Sequence, residues 1–176
     1  RSAIFPEYKA NRDETPEAIR LAIPYIHQIL QAMQIPIIEK EGYEADDIIG
    51  TLAKQAEKQG YQVYMVTPDK DYGQLVSEHI FMYKPARGGN DTEIWGVEQV
   101  KENFGVDTPE QVIDLLGMMG DAVDNIPGLP GVGEKTAQKL LKEFGSLENL
   151  LENTHQLKGK LRENIEANKD KGILSK

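Results

Sequence analysis

Residues 44–71, EADDIIGTLAKQAEKQGYQVYMVTPDKD, decide the fold class. Ile48, Ile49, Leu52, Ala53 and Ala56 recur at helical spacing, and Gly60 supplies a stop, so the pattern predicts a helix opening at Glu44 and running to about Gln59. Tyr61 to Val66 then reads as a buried strand, and its end delivers Thr67-Pro68-Asp69-Lys70-Asp71 onto a loop. Helix, strand and a polar loop at the strand's carboxyl end form an α/β unit, the place where such sheets hold ligands. Glu44, Asp46 and Asp47 fall on the first helical turn, where the helix dipole favours anions.

Working outward, a third acidic pair, Asp121 and Asp124, joins Glu44-Asp46-Asp47 and Asp69-Asp71 to make seven carboxylates. Gathering like charges costs free energy unless protons, basic side chains or cations offset it. Divalent cations suit the pattern, because Mg²⁺ takes a few carboxylates together with waters and phosphate oxygens. Two such ions can stabilise the attacking and leaving oxygens of a phosphodiester displacement, so the clusters point to metal-dependent phosphoryl chemistry.

Upstream, Thr15-Pro16 opens a long helix carrying Ile19, Ile23, Ile26, Ile29, Leu30 and Met33, with Pro24 expected to kink it or to split it in two. Ile35 to Ile38 is a strand or an extended linker, and Ile80 to Tyr83 a further strand. Residues 84–94 form a polar turn or hairpin tip. Helices follow over Val97–Phe104 and from Thr108 to Met119, and shorter ones over Leu147–Leu151 and Leu157–Ile165. The expected boundary lies near residue 96, giving an α/β part at 1–96 and a helical part at 97–176.

Between these helices lies Ile126-Pro-Gly-Leu-Pro-Gly-Val-Gly-Glu-Lys-Thr-Ala-Gln-Lys-Leu-Leu141. Gly128, Gly131 and Gly133 permit tight turns, and a helix opening at Glu134 offers free N–H groups to a phosphate. Lys135, Thr136 and Lys139 add side-chain contacts of the kind that grip a nucleic-acid backbone without reading its sequence. Net charge is −9, but it divides unevenly, at −11 over residues 1–127 and +2 over 128–176. The tail segment is therefore the phosphate-facing surface.

The chain of 176 residues has no cysteine, which excludes a disulfide framework and a thiolate metal site, and His27, His79 and His155 show no ligand spacing. No apolar run approaches the roughly 20 residues of a membrane span, and the opening residues lack a signal-peptide core, so a cytoplasmic location is expected. The chain opens without methionine, like the middle of a fold, and a fragment of a longer protein is expected.

Five ordered motifs resemble the 5′-3′ nuclease domains of bacterial DNA polymerases I, within the flap-endonuclease superfamily. They are Tyr8-Lys9-Ala10-Asn11-Arg12, Gly42 to Asp47, Thr67 to Asp71, Gly120-Asp121 with Asp124-Asn125, and Gly131 to Ala137. The resemblance implies a truncated PIN-like nuclease core followed by an all-helical helix-hairpin-helix (H2TH-type) subdomain. It implies two Mg²⁺ or Mn²⁺ ions, with Glu44, Asp46 and Asp47 around the first and Asp69, Asp71, Asp121 and Asp124 around the second. Lys9 and Arg12 would contact the scissile phosphate and the threaded strand. The hairpin would hold duplex DNA and a K⁺ ion, the substrate being branched or nicked duplex with a 5′ flap or end, and polymerase domains would share the parent chain.

Two further aspartates of the family pattern would precede Arg1, so the first metal group is expected to be incomplete, cleavage weak and the sheet reduced. Asp71-Tyr72-Gly73-Gln74 is a second departure, and Gly73 is expected to loosen that turn. Tyr8, Tyr43 and Trp95 read as packing residues. A DNA-binding remnant without catalysis, and a PIN-type ribonuclease, are the competing readings.

Overall fold

The computed structural model describes residues 4–86, 88 and 91–176. The deciding stretch folds as its pattern predicts, into helix α2 (Ala45–Lys58) and strand β1 (Val63–Val66). β1 pairs in parallel with β2 (Ile80–Lys84), and β2 pairs antiparallel with β3 (Glu93–Trp95), for a three-stranded order β1-β2-β3. A parallel pair needs a crossover. Here it is the stretch 67–79, which carries the acidic loop and a 3-10 helix at Lys70–Leu75. Of the expected polar turn before β3, Arg87, Gly89 and Asn90 lie outside the described residues.

Two expectations change and one open alternative is decided. β1 is half-buried rather than buried, because it is an edge strand: Met65 faces the core while Tyr64 and Val66 are exposed. Ile35–Ile38 forms an extended linker and no strand. Helix α1 (Glu17–Ala32) runs unbroken through Pro24, and none of its residues is buried despite its apolar stripe. Among the described residues no helix is long and apolar enough to cross a membrane.

The helical part comprises α3 (Val97–Phe104), α4 (Gln111–Met119), α5 (Glu134–Phe144), α6 (Leu147–Glu152), α7 (Gly159–Ala167) and α8 (Lys169–Ser175). α4 opens three residues later than its Thr-Pro signal, and α8 went unread in the sequence. One continuous core joins both parts, from Met65, Ile80 and Met82 through Val100 and Phe104 to Leu115, Met118, Leu140 and Ile165. α4 is its axle, packing on the 3-10 helix, α5 and α8. Buried Asp114 of α4 accepts from the Leu147 amide at 3.1 Å and from Lys176 Nζ at 2.6 Å, which ties α6 and the chain after α8 to it.

The glycine hairpin meets the core at one point. Gly120 and Gly128 lie backbone against backbone, both with positive φ, and the turn between them is closed by paired hydrogen bonds between Asp121 and Ile126. Gly128 is buried and its amide donates to Ser175 Oγ at 2.9 Å. Of the residues expected at the DNA surface, Gly128 thus has its amide engaged within the fold.

A Cβ on Gly128 would stand 2.5 Å from the Gly120 nitrogen and the Met119 carbonyl carbon. With left-handed strain added, Gly128→Ala should cost about 2–4 kcal/mol and lower Tm by several degrees in a thermal melt. Gly133→Ala, where the added methyl would meet open space, should stay within about 1 kcal/mol. Equal melting of the two variants would contradict this packing account.

Candidate metal centre and nucleic-acid interface

Three segments converge on one side of the molecule: the start of α2, the crossover after β1, and the turn after α4. Each is shaped by its own carboxylates. Asp47 accepts from the Glu44 amide at 3.1 Å, closing the first turn of α2. Asp69 caps the 3-10 helix by accepting from the Asp71 amide at 3.0 Å. Asp121 Oδ1 accepts from the Val123 amide at 2.7 Å, which bends the 121–124 turn. The bonds to Asp69 and Asp121 use one oxygen each, and the other oxygen can face a cation.

An open cleft of about 610 Å³ is lined by Glu44, Asp46, Asp69, Asp71, Asp121 and Asp124, together with Lys9 and Arg12. It shares Asp46, Asp71, Asp121 and Asp124 with a hollow of about 530 Å³ in which Asp47, Thr51, Lys54 and Tyr72 also appear. Six of the seven sequence-selected carboxylates thus line the cleft, and Asp47 lines the hollow beside it. The two basic residues reach it because the chain before α1 is stitched to the 121–125 turn. The Lys9 amide donates to the Asp124 carbonyl at 2.9 Å, Asn11 Nδ2 to the Ala122 carbonyl at 2.8 Å, and Asn125 Nδ2 to the Glu7 carbonyl at 2.7 Å.

The cleft offsets its own repulsion in two ways. Lys9 Nζ sits 2.7 Å from Glu44 and 3.8 Å from Asp124, and Arg12 pairs with Asp124. Burial works against the Lys9 charge, but hydrogen bonds to Glu44 and Tyr8 leave its pKa above the ordinary value. Asp71 is the unresolved remainder. Its Oδ1 is buried with no hydrogen-bond partner. Burial first, then Asp69, then Asp121 and Asp46 against a partial offset from Lys70, push its pKa up to about 6. A divalent cation fits such a donor set, which is hard, anionic and short of protons. Even so, no three acidic or imidazole groups among the described residues already form a metal cage.

Sequence reasoning missed Tyr72 and Tyr8. Tyr72 is buried and its hydroxyl donates to Asp46 Oδ1 at 2.8 Å. Burial and that carboxylate hold it well above a normal phenol, so it stays an O–H donor. Tyr8 donates to Glu44 at 3.1 Å. The Tyr72-Gly73 departure from the family pattern is the available signal. Gly73 lets the Phe104 ring press within 2.9 Å of where a Cβ would stand. Trp95 packs edge-on against Phe104, whereas Tyr43 is exposed.

Beyond the cleft, Gly131, Gly133, Lys135 and Lys139 are exposed and Thr136 is half-buried at the start of α5. None of them lines the acidic cleft or the hollow beside it.

A family model described as 5′-3′ exonuclease, N-terminal resolvase-like domain, matches residues 1–105. One described as 5′-3′ exonuclease, C-terminal SAM fold, matches residues 107–176. DNA polymerase I of Bacillus subtilis (strain 168) is 50% identical over 177 residues, covering 100% of this chain and 20% of that protein. DNA polymerase I of Bacillus caldotenax is 46% identical with the same coverages. The chain therefore spans about a fifth of the length of these relatives. Among solved structures, zinc-bound 5′-exonuclease of T5 matches with a TM-score of 0.80 at 24% identity, over 98% of this chain and 66% of that one. The catalytic core of Rad2 with DNA substrate matches at 0.58 and 23%, over 89% and 51%. Both likenesses are of fold.

Asp71 binds its proton more tightly folded than unfolded, so its contribution to stability is present below the ordinary carboxylate range and is lost as pH rises through about 6. The shift corresponds to about 3 kcal/mol, and halving it for solvent screening leaves about 1.5 kcal/mol. Without metal, Asp71→Asn should gain about that much on wild type between pH 4 and pH 7 in urea unfolding. A constant difference across the window would show that Asp71 titrates normally.

Proposed function

The chain belongs to the 5′-3′ exonuclease family, and on that premise we propose that it is the part of a DNA polymerase I that hydrolyses phosphodiesters at 5′ ends and 5′ flaps of branched or nicked duplex DNA. The observation that carries this reading is the convergence of three acidic segments and two basic residues on one cleft. The DNA polymerase I relatives support polymerase domains in the parent protein and a place in the bacterial cytoplasm.

Mg²⁺ or Mn²⁺ would be held by Asp46, Asp69, Asp71 and Asp121, with Glu44, Asp47 and Asp124 beside them. Bound there, the metal would lower the pKa of water and offset charge on the leaving oxygen. The chain's own residues do the rest. Asp71, half-buried and crowded by carboxylates, needs a cation to ionise without penalty near neutral pH. Lys9 and Arg12, now on Glu44 and Asp124, carry the positive charge that an entering phosphate would meet. Lys135 and Lys139, an exposed pair at i and i+4 on α5, would hold backbone phosphates of the duplex. A K⁺ ion on the hairpin's backbone carbonyls belongs to the same reading.

Turnover by this chain should be low, because Glu44 and Asp124 are already engaged with Lys9 and Arg12. A duplex with a labelled 5′ flap tests it: slow Mg²⁺- or Mn²⁺-dependent shortening of the flap strand is expected. Asp71→Asn with Asp121→Asn should reduce it at least about a hundredfold. Product formed in chelator, or undiminished in that variant, overturns the reading.

Duplex binding in Ca²⁺ probes the hairpin separately. Lys135→Ala with Lys139→Ala should weaken it and make the slope of log K against log salt shallower by about one to two units, one per lost phosphate contact. An unchanged slope would remove α5 from the interface.

A further inference from the structure

The carboxylates of the cleft are held by partners of two kinds. Glu44 and Asp124 pair with Lys9 and Arg12, which bring positive charge and so compete with any cation. Asp46 instead receives a hydrogen bond from a neutral phenol, Tyr72 Oη to Asp46 Oδ1 at 2.8 Å. A phenol orients a carboxylate without cancelling its charge.

The supporting structure is rigid where it must be. Tyr72 is 6% exposed and belongs to the 3-10 helix that also carries Asp71. Gly73, next to it, seats that helix against Phe104. Asp46, by contrast, is an exposed residue on the first turn of α2, where an unheld side chain would move among rotamers. The fixed partner therefore sets the mobile one. One short turn thus supplies Asp71 and aims Asp46 at the same cleft, which both line.

We propose that Tyr72 is a positioning residue for divalent-cation binding, its hydroxyl fixing one oxygen of Asp46 so that the other faces the cleft. The inference rests on the reading of the cleft as a cation site. Partners that orient metal-binding side chains are commonly worth ten- to a hundredfold in metal affinity.

The test is Mn²⁺ binding, followed by electron paramagnetic resonance, to four forms of the chain: wild type, Tyr72→Phe, Asp46→Asn and the double variant. Tyr72→Phe keeps the ring in the core and removes only the hydroxyl. It should weaken Mn²⁺ binding about tenfold while Tm moves by only a few degrees. In the Asp46→Asn background the same substitution should change nothing, because its route of action is gone. Wild-type affinity in Tyr72→Phe, or an equal loss in both backgrounds, overturns the positioning role while leaving the cation site standing. No Mn²⁺ binding by wild type, or none lost in Asp46→Asn, overturns the cation site and the inference with it. Tyr72→Leu, which also fills the core without a hydroxyl, gives the same comparison should the phenylalanine variant not fold.

Discussion

Mutual repulsion among carboxylates is the constraint to which the rest of the molecule answers. Six of them line a single cleft and a seventh adjoins it. Left alone, such a group would push the three segments apart or take up protons. Each segment is instead held from behind: α2 by its own first-turn cap, the crossover by the 3-10 helix, and the 121–124 turn by Asp121 and by the chain around Lys9. Lys9 and Arg12 then offset part of the charge, and Asp71 registers what is left. The packing energy of the core is what permits an arrangement that electrostatics opposes.

The helical part reaches the cleft through α4, which packs on the 3-10 helix, and through the turn after it. Asp121 and Asp124 are placed by a turn whose ends meet at Gly120 and Gly128, and Gly128 is the first glycine of the hairpin that leads to α5. One backbone contact therefore joins the acid turn to the start of the hairpin that leads to α5. A shift at this contact would be felt at both places, which is the physical reason to regard the two parts as one unit in spite of the change of architecture near residue 96. The shared core, running from Met65 to Ile165 without a break, supports the same view.

The elements that the sequence revealed were those with local causes. α2 and the start of α5 are each fixed by periodicity, a cap or a glycine within a few residues. All seven acid side chains were legible because charge is conspicuous in a pattern. What stayed hidden depends on distant partners. That β1 is an edge strand with Tyr64 and Val66 exposed follows from which strands pair with it, and the local run Val63–Val66 is apolar either way. Gly128 looks like any flexible hairpin glycine until Gly120 is brought against it. Tyr72 has an aromatic, core-like character in the sequence, and only the fold places Asp46, 26 residues away, at its hydroxyl.

The charge division along the chain gains a physical meaning from this geometry. DNA approaching a surface of net charge −11 over residues 1–127 is repelled unless something neutralises the cleft. The +2 of residues 128–176 is too small to steer a phosphate backbone from afar, and at physiological salt the Debye length is about 8 Å. On the proposed reading, attachment is therefore short-ranged, made by the exposed start of α5 and its lysines in direct contact. Entry into the cleft would then be a second event, coupled to loss of acid repulsion. An acidic chain would in this way hold DNA by one surface while its other surface stays closed to phosphate until cations occupy it.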